Sequence, residues 1–561
     1  MWSAESLTAA GSGAWGRLRP WLQPVYAAAS WLYARPRVVL AGLVGVQWLC
    51  LLAFALTREH NGWVFYQGGD QISYTTTASL IGDGVLPPTL IGFGWVVPLV
   101  PLSWLVGPAF PGFLPFQLAV NVLLLAPVAL ACVYGLGCRI GGRLLGLYAA
   151  VLWVVAPYLA VPFFRFDYHE RYVDQILPGA LGLTGLADFP SMVCLLVAAY
   201  LLVRALETPD WSWAVVAGLA AVVAVTIKPS NSLFLAGAAL LLLLARRWRT
   251  AVLYAAAMVP SLLLLALWKW RGLGQVPVLA FEETRVAAGT IVSSALTEKY
   301  LYLDWDTFRH NMASLREFTY SARVLQWIPI AGTFAVARRS LPLAGLLAGW
   351  FGAFLVIKGT APQSTVESGS FFRLLIPAFP AYFLLFVSIP LLVPTLVRRV
   401  RALTPPRPPR PIGRRVLVAL AVIFVALPLA VVVAPQPIDA AAPKGISIGP
   451  IPIPVDEDID VTVTPDGESR TLTWTHPDYG PKVFYRVYRT DLSGTDVECS
   501  DHRSPDCALK MVLLATTREP RFVDGSPPPE SRYRIGVATN FADDPSGGDV
   551  IAISEPIPAT P

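Results

Sequence analysis

The chain has 561 residues, of which 55% are hydrophobic and only 14% charged, with a mean hydropathy of +0.56. Soluble domains carry about 25% charged residues, so this composition excludes a chain that faces water along most of its length. The formal net charge of +6 sits in short arginine-rich segments between apolar runs, as membrane topology demands, and not in a nucleic-acid-binding patch.

The first segment, 1–37, carries Arg17, Arg19, Arg35 and Arg37 and precedes an apolar run over 38–56. That run is long enough to be a retained first span, and nothing before it reads as a cleaved signal peptide. Ten further spans are expected at 114–136, 144–164, 190–206, 212–228, 230–245, 250–270, 322–337, 341–357, 374–397 and 416–434. The apolar stretch 88–112 is interrupted by Pro98, Pro101, Pro108 and Pro111. Proline inside a helix removes a hydrogen bond that lipid cannot replace, so this stretch reads as a juxtamembrane or re-entrant piece.

Charge orients the eleven spans. With the N-terminus inside, Arg246, Arg247, Arg249, Arg338, Arg339 and the arginines of 398–415 all fall on the cytoplasmic side, as the positive-inside rule requires. The outer loops 57–113, 165–189, 271–321 and 358–373 are long and carry more acid than base. Long loops on one face of a rigid scaffold carry function, which makes the outer face the working face.

After the last span a proline-rich linker, 436–454, leads to short stretches of alternating hydrophobicity such as "RTLTWTHP" and "SRYRIGVATN". They predict an antiparallel β-sandwich over 455–555. The expected fold is therefore an α-helical polytopic membrane protein with about eleven transmembrane helices, N-terminus in and C-terminus out, and an extracytoplasmic all-β sandwich at its end. Cys50, Cys132, Cys138 and Cys194 lie in or beside apolar runs and read as packing residues. Cys499 and Cys507 lie in a polar loop where an extracytoplasmic location predicts a short disulfide.

Candidate chemistry collects at the outer ends of the spans. Asp70 follows two glycines in "YQGGDQISYTTTASLIGDG"; it suits a general base and equally an Asx turn or helix N-cap. "FRFDYHERYVDQ" places Asp167, His169 and Glu170 just past the third span. Lys228 in "TIKPSN", Lys358 in "VIKGTAP" and Arg373 in "SGSFFRLLIPAFP" are cations on the acidic side. Each is readable as a snorkelling anchor, and together they form a candidate lipid-phosphate site. No acid falls inside an expected span, which disfavours a proton-coupled transporter. His476 and His502 lack metal-ligand spacing and read as ordinary surface histidines.

Four segments, taken in order, resemble the C-type glycosyltransferase superfamily of polytopic enzymes that use polyprenyl-phosphate sugars. They are "GGDQISYTTTASLIGDGVLPP", "ADFPSMVCLLVAAYLLVRALE", "GLAAVVAVTIKPSN" and "FFRLLIPAFPAYFLL", within residues 38–395. The spacing of Trp474, Tyr485 and Tyr533 resembles a fibronectin type III domain. The first resemblance implies transfer of a sugar, with inversion, from a polyprenyl-phosphate donor to an envelope glycan, lipid or protein acceptor. It implies Asp70 as base, Asp167 as second acidic residue, and Arg373 and Lys228 as phosphate contacts, with His169, Glu170 and Lys358 as further substrate-binding candidates. Replacing Asp70 by Asn is then expected to slow transfer and leave donor affinity almost unchanged. The chain departs from the family in having Gly-Gly-Asp-Gln and Asp188-Phe-Pro, which leaves subfamily and divalent-metal dependence open. A lipid or glycan transporter, and a non-catalytic module displaying the sandwich, are the alternative readings.

Overall fold

The computed structural model describes residues 30–57, 70–87, 91–107, 110–273, 276, 284–285, 291–293, 303–319, 322–361, 364–367, 369–394, 411–437, 455–477, 483–490, 511–528, 531–539 and 549–559. Helices dominate up to residue 433. Among the described residues seven helices are long and apolar enough to cross a membrane: Pro36–Thr57, Gly112–Gly141, Asp188–Leu206, Trp248–Gly272, Leu341–Gly359, Ser370–Leu392 and Arg414–Val433. Arg143–Leu159, Trp211–Ile227 and Pro229–Leu244 are shorter apolar helices, and Ala322–Ala337 has 16 residues. Every expected span thus coincides with a helix. Phe93–Val106, inside the proline-interrupted stretch, is a 14-residue helix with Pro98 and Pro101 within it, too short at 1.5 Å per residue to cross a core of roughly 30 Å.

The helices differ in how far they are enclosed. Pro36–Thr57 and Arg414–Val433 are only 11% buried over their apolar windows, whereas Asp188–Leu206 and Ser370–Leu392 are 67% buried. The former ride on the rim and the latter form the centre. Small residues permit the close approach: a Cβ on Gly237 would come within 2.4 Å of the Leu346 carbonyl oxygen, so helices Phe234–Leu244 and Leu341–Gly359 meet almost backbone to backbone.

Segments expected as outer loops are more structured than their composition foretells. Trp305–Phe318, within the expected loop 271–321, is an amphipathic helix whose N-cap Asp304 accepts hydrogen bonds from the Asp306 and Thr307 amides. Asn311 on it donates to the Gly359 and Ser364 carbonyls at 3.0 and 2.6 Å and accepts from the Val366 amide at 3.1 Å, clasping the loop that leads to Arg373.

The C-terminal region is a sandwich of two antiparallel sheets. Its strands are β1 (Asp460–Asp466), β2 (Ser469–Thr475), β3 (Val483–Thr490), β4 (Met511–Thr517), β5 (Arg521–Asp524), β6 (Arg532–Thr539), β7 (Asp549–Ile553) and β8 (Ile557–Pro558). One sheet has the order β1-β2-β5 and the other β4-β3-β6-β7, with β8 also on β6. Leu472, Trp474, Tyr485, Val487, Tyr533, Ile535 and Val537 fill the space between them. The Trp474 and Tyr485 rings meet edge to face at 5.3 Å. His476, expected as an ordinary surface residue, is partly buried and bonded to the Tyr485 hydroxyl at 2.5 Å. Cys499, Cys507 and His502 lie outside the described residues.

Two features join the sandwich end of the chain to the helical part. The sandwich's apolar cluster includes Ile72 and Leu114, both fully or almost fully buried. Val85–Leu86 also pairs in parallel with Gln436–Pro437, at the start of the linker, and the Gln436 amide donates to the Gly84 carbonyl at 2.8 Å.

Candidate functional site

The helix Asp70–Gly82 is polar by sequence yet buried. Gln71, Ser73, Thr75, Thr76, Thr77 and Ser79 are all enclosed, and Thr75 donates back to the Ile72 carbonyl at 3.0 Å, the local bonding that lets hydroxyl side chains sit inside a helix. Asp70 is its first residue, so its carboxylate lies where the helix dipole favours negative charge. Its side chain is 51% exposed.

Three other charges converge here from distant parts of the chain. Asp188 begins the central helix Asp188–Leu206 and its side chain is only 2% exposed. Lys228 ends Trp211–Ile227, where Pro229 cannot continue the α-helix; Asn231 closes the turn by donating to the Ala224 carbonyl at 2.8 Å. Arg373 lies on Ser370–Leu375, which starts after Gly369 at φ 76°, a left-handed conformation that suits glycine. The Lys228 ammonium reaches Asp188 Oδ1 at 2.5 Å. The Arg373 Nε approaches Asp188 Oδ2 at 3.5 Å while its Nη2 donates to Asp70 Oδ2. The result is an ionic chain Lys228–Asp188–Arg373–Asp70, with two positive and two negative members. A carboxylate as deeply placed as Asp188 is tolerated because both cations hold it.

Tyr74 sits one turn behind Asp70, and its hydroxyl donates to the Ile227 carbonyl at 3.1 Å, next to Lys228. Burial, reinforced by the Asp70 and Asp188 carboxylates, pushes its phenol well above the usual range, so Tyr74 remains a donor. From the opposite side, a Cβ on Gly92 would lie 1.9 Å from the Thr226 carbonyl oxygen and one on Gly94 2.6 Å from Thr226 Oγ1. These glycines let the backbone before Lys228 rest directly on the Phe93–Val106 helix.

Beside Asp70 lies a set of buried amides. Gln71 accepts from the Gly185 amide at 2.7 Å, and Asn121 donates to the Gly182 carbonyl at 3.0 Å. Among the described residues Gln71 Nε2, Asn121 Oδ1 and both polar atoms of the Gln117 side chain find no hydrogen-bond partner.

The structure thus brings together Asp70, Lys228 and Arg373, and adds Asp188, Tyr74 and the amides. The remaining candidates are placed differently. Asp167 is exposed in the first turn of Phe166–Arg171. His169 Nε2 bonds to the Phe164 carbonyl at 2.6 Å, bracing its own turn. The Glu170 side chain lies outside the described residues, and Lys358 is half-buried in the last turn of Leu341–Gly359. His310 and Glu367, 2.9 Å apart, form a separate pair beside the Asn311 clasp. Among the described residues no three His, Cys, Asp or Glu side chains group as metal ligands. An apolar cleft of about 350 Å³, lined by Cys50, Phe54, Thr57, Tyr158 and Val173 among others, contains none of the four ionic residues.

Compared with protein-family models, curated proteins and solved structures, the chain matches none.

Proposed function

We propose that the protein is a membrane glycosyltransferase that moves a sugar from a polyprenyl-phosphate donor to an acceptor hydroxyl at the outer face of the cell membrane. The observation that carries this reading is the ionic chain: an accessible carboxylate, Asp70, next to two cations gathered at the ends of central helices. In the reaction the acceptor oxygen attacks the anomeric carbon as its proton passes to Asp70. The new carbon–oxygen bond forms on the face opposite the bond to phosphate, which breaks with its electron pair leaving on the phosphate, so the anomeric centre inverts. Arg373 and Lys228 stabilise that departing charge. Buried amides with unused donors and acceptors at Gln71, Gln117 and Asn121 suit a neutral polyhydroxylated group.

In this reading the eleven helices run with the N-terminus inside and the sandwich outside. The two-sheet arrangement, with β1-β2-β5 facing β4-β3-β6-β7 and the short β8 added on β6, the Trp474–Tyr485 contact and the hydrogen bond from the Tyr533 hydroxyl to Asp524 at 2.8 Å support a fibronectin type III-like module. The acceptor belongs to the envelope: a glycan, a lipid or a protein.

The test is transfer from radiolabelled polyprenyl-phosphate sugars by the full-length protein in lipid nanodiscs, with envelope fractions as acceptors. Acceptor-dependent release of sugar is expected. Asp70→Asn should lower the rate about 10²- to 10⁴-fold and Asp167→Asn less. Lipid binding without turnover, or near-normal transfer by Asp70→Asn, overturns the proposal.

A further inference from the structure

We infer that Arg373 is shared between two anions, Asp70 in the empty site and the donor phosphate in the filled one, so that donor binding is what releases the base. This rests on the glycosyltransferase reading and adds to it an order of events.

The two carboxylates on Arg373 are not equivalent. Asp188 is 2% exposed and also holds Lys228; stripping Arg373 from it would weaken the compensation of a buried charge, which is costly. Asp70 is 51% exposed, and water can take over the solvation of an accessible carboxylate at little cost. An arriving anion that needs the guanidinium therefore displaces Asp70 and leaves the Asp188 contact in place. The charges agree: the four residues sum to zero, so a phosphate added to them makes the group net negative. The accessible carboxylate is the member that can leave.

The Asp70 carboxylate paired with Arg373 has its Oδ2 engaged by the guanidinium, whereas once released it presents both oxygens to an acceptor hydroxyl. Asp70 thus meets the acceptor only after the phosphate has taken its partner. Tyr74, buried behind Asp70 and donating to the Ile227 carbonyl, anchors the helix while the carboxylate turns away. Donor therefore precedes acceptor. The exchange also reverses the expectation that loss of the Asp70 charge leaves donor affinity unchanged: Asp70 competes with the phosphate, so its removal should tighten binding.

The experiment measures binding of farnesyl phosphate, farnesol and inorganic phosphate to the full-length protein in nanodiscs. Asp70→Asn should bind farnesyl phosphate roughly 2- to 5-fold more tightly than wild type, the size expected of an exposed ion pair. Asp70→Ser should do the same, a second route if the first variant is unstable, and Asp83→Asn, an exposed acid elsewhere, should change nothing. Inorganic phosphate should show the same tightening at weaker absolute affinity, and farnesol none. Equal or weaker farnesyl phosphate binding by both Asp70 variants, with Arg373→Ala still impaired, overturns the exchange and leaves the donor site standing. Undiminished binding by Arg373→Ala overturns the donor site itself.

Discussion

Removing the Asp188 carboxylate would leave the Arg373 and Lys228 cations facing one another across a buried position. Breaking such an arrangement from one side costs about 3–5 kcal/mol, so Asp188→Asn should lower the thermal-aggregation midpoint of the purified protein clearly. Asp188→Asn combined with Lys228→Met should recover part of that loss, because the two changes act on one interaction; strict additivity would show that the pair is not coupled. Tyr74 gives a prediction of opposite kind. Its phenol is held neutral by burial and by the neighbouring carboxylates, so it does not ionise as pH rises through the ordinary tyrosine range of about 10. Tyr74→Phe should keep the wild-type pH profile of transfer at alkaline pH, and loss of an alkaline limb in that variant would mean that the phenol titrates. At this scale the sequence was half informative. Asp70, Lys228 and Arg373 are legible because polar groups at the outer ends of apolar runs stand out. Asp188 reads only as an acid before Phe189-Pro190, since its partners lie 40 and 185 residues further along and no local pattern encodes such pairing. Gln71, Gln117 and Asn121 are uncharged, and their unsatisfied atoms become visible only once burial is known.

Among the elements, long apolar runs translate directly into helices because a bilayer demands about 20 such residues. The helix Trp305–Phe318 shows where that rule stops working. Its apolar residues are few, and the signals that specify it, the Asp304 cap and an Arg316 in its last turn, resemble those of any polar loop. Its grip on Gly359, Ser364 and Val366 through Asn311 predicts that Asn311→Ala speeds hydrogen exchange at the Val366 amide, measured by mass spectrometry; unchanged exchange would locate the restraint elsewhere. Packing of the Phe93–Val106 helix against the Lys228 turn gives a sharper test. A methyl group at Gly94 would meet Thr226 Oγ1 and the Ile227 nitrogen at 2.6 and 2.7 Å, a clash with backbone that cannot rotate aside. Gly94→Ala should cost about 1–3 kcal/mol and also weaken farnesyl phosphate binding by shifting Lys228, whereas Gly45→Ala, with open space around it, should do neither.

For the whole molecule, the proposed orientation places Arg247 inside and Thr464 outside. Of cysteines introduced at these two positions, both exposed, an impermeant maleimide should label the one at 464 in intact cells and the one at 247 only after permeabilisation; the opposite pattern would reverse the working face. The sandwich is more than an appendage, since its apolar cluster takes in Ile72, two residues from Asp70. The strand pair between Val85–Leu86 and Gln436–Pro437 has a bearing on biosynthesis. Its halves lie about 350 residues apart in the chain, one emerging just after the first span and the other only once the last has been inserted. A ribosome that stops early therefore leaves Val85–Leu86, just after the helix that Asp70 begins, without its partner strand. Synthesis must therefore run almost to the end of the helical part before the Val85–Leu86 strand can be fastened.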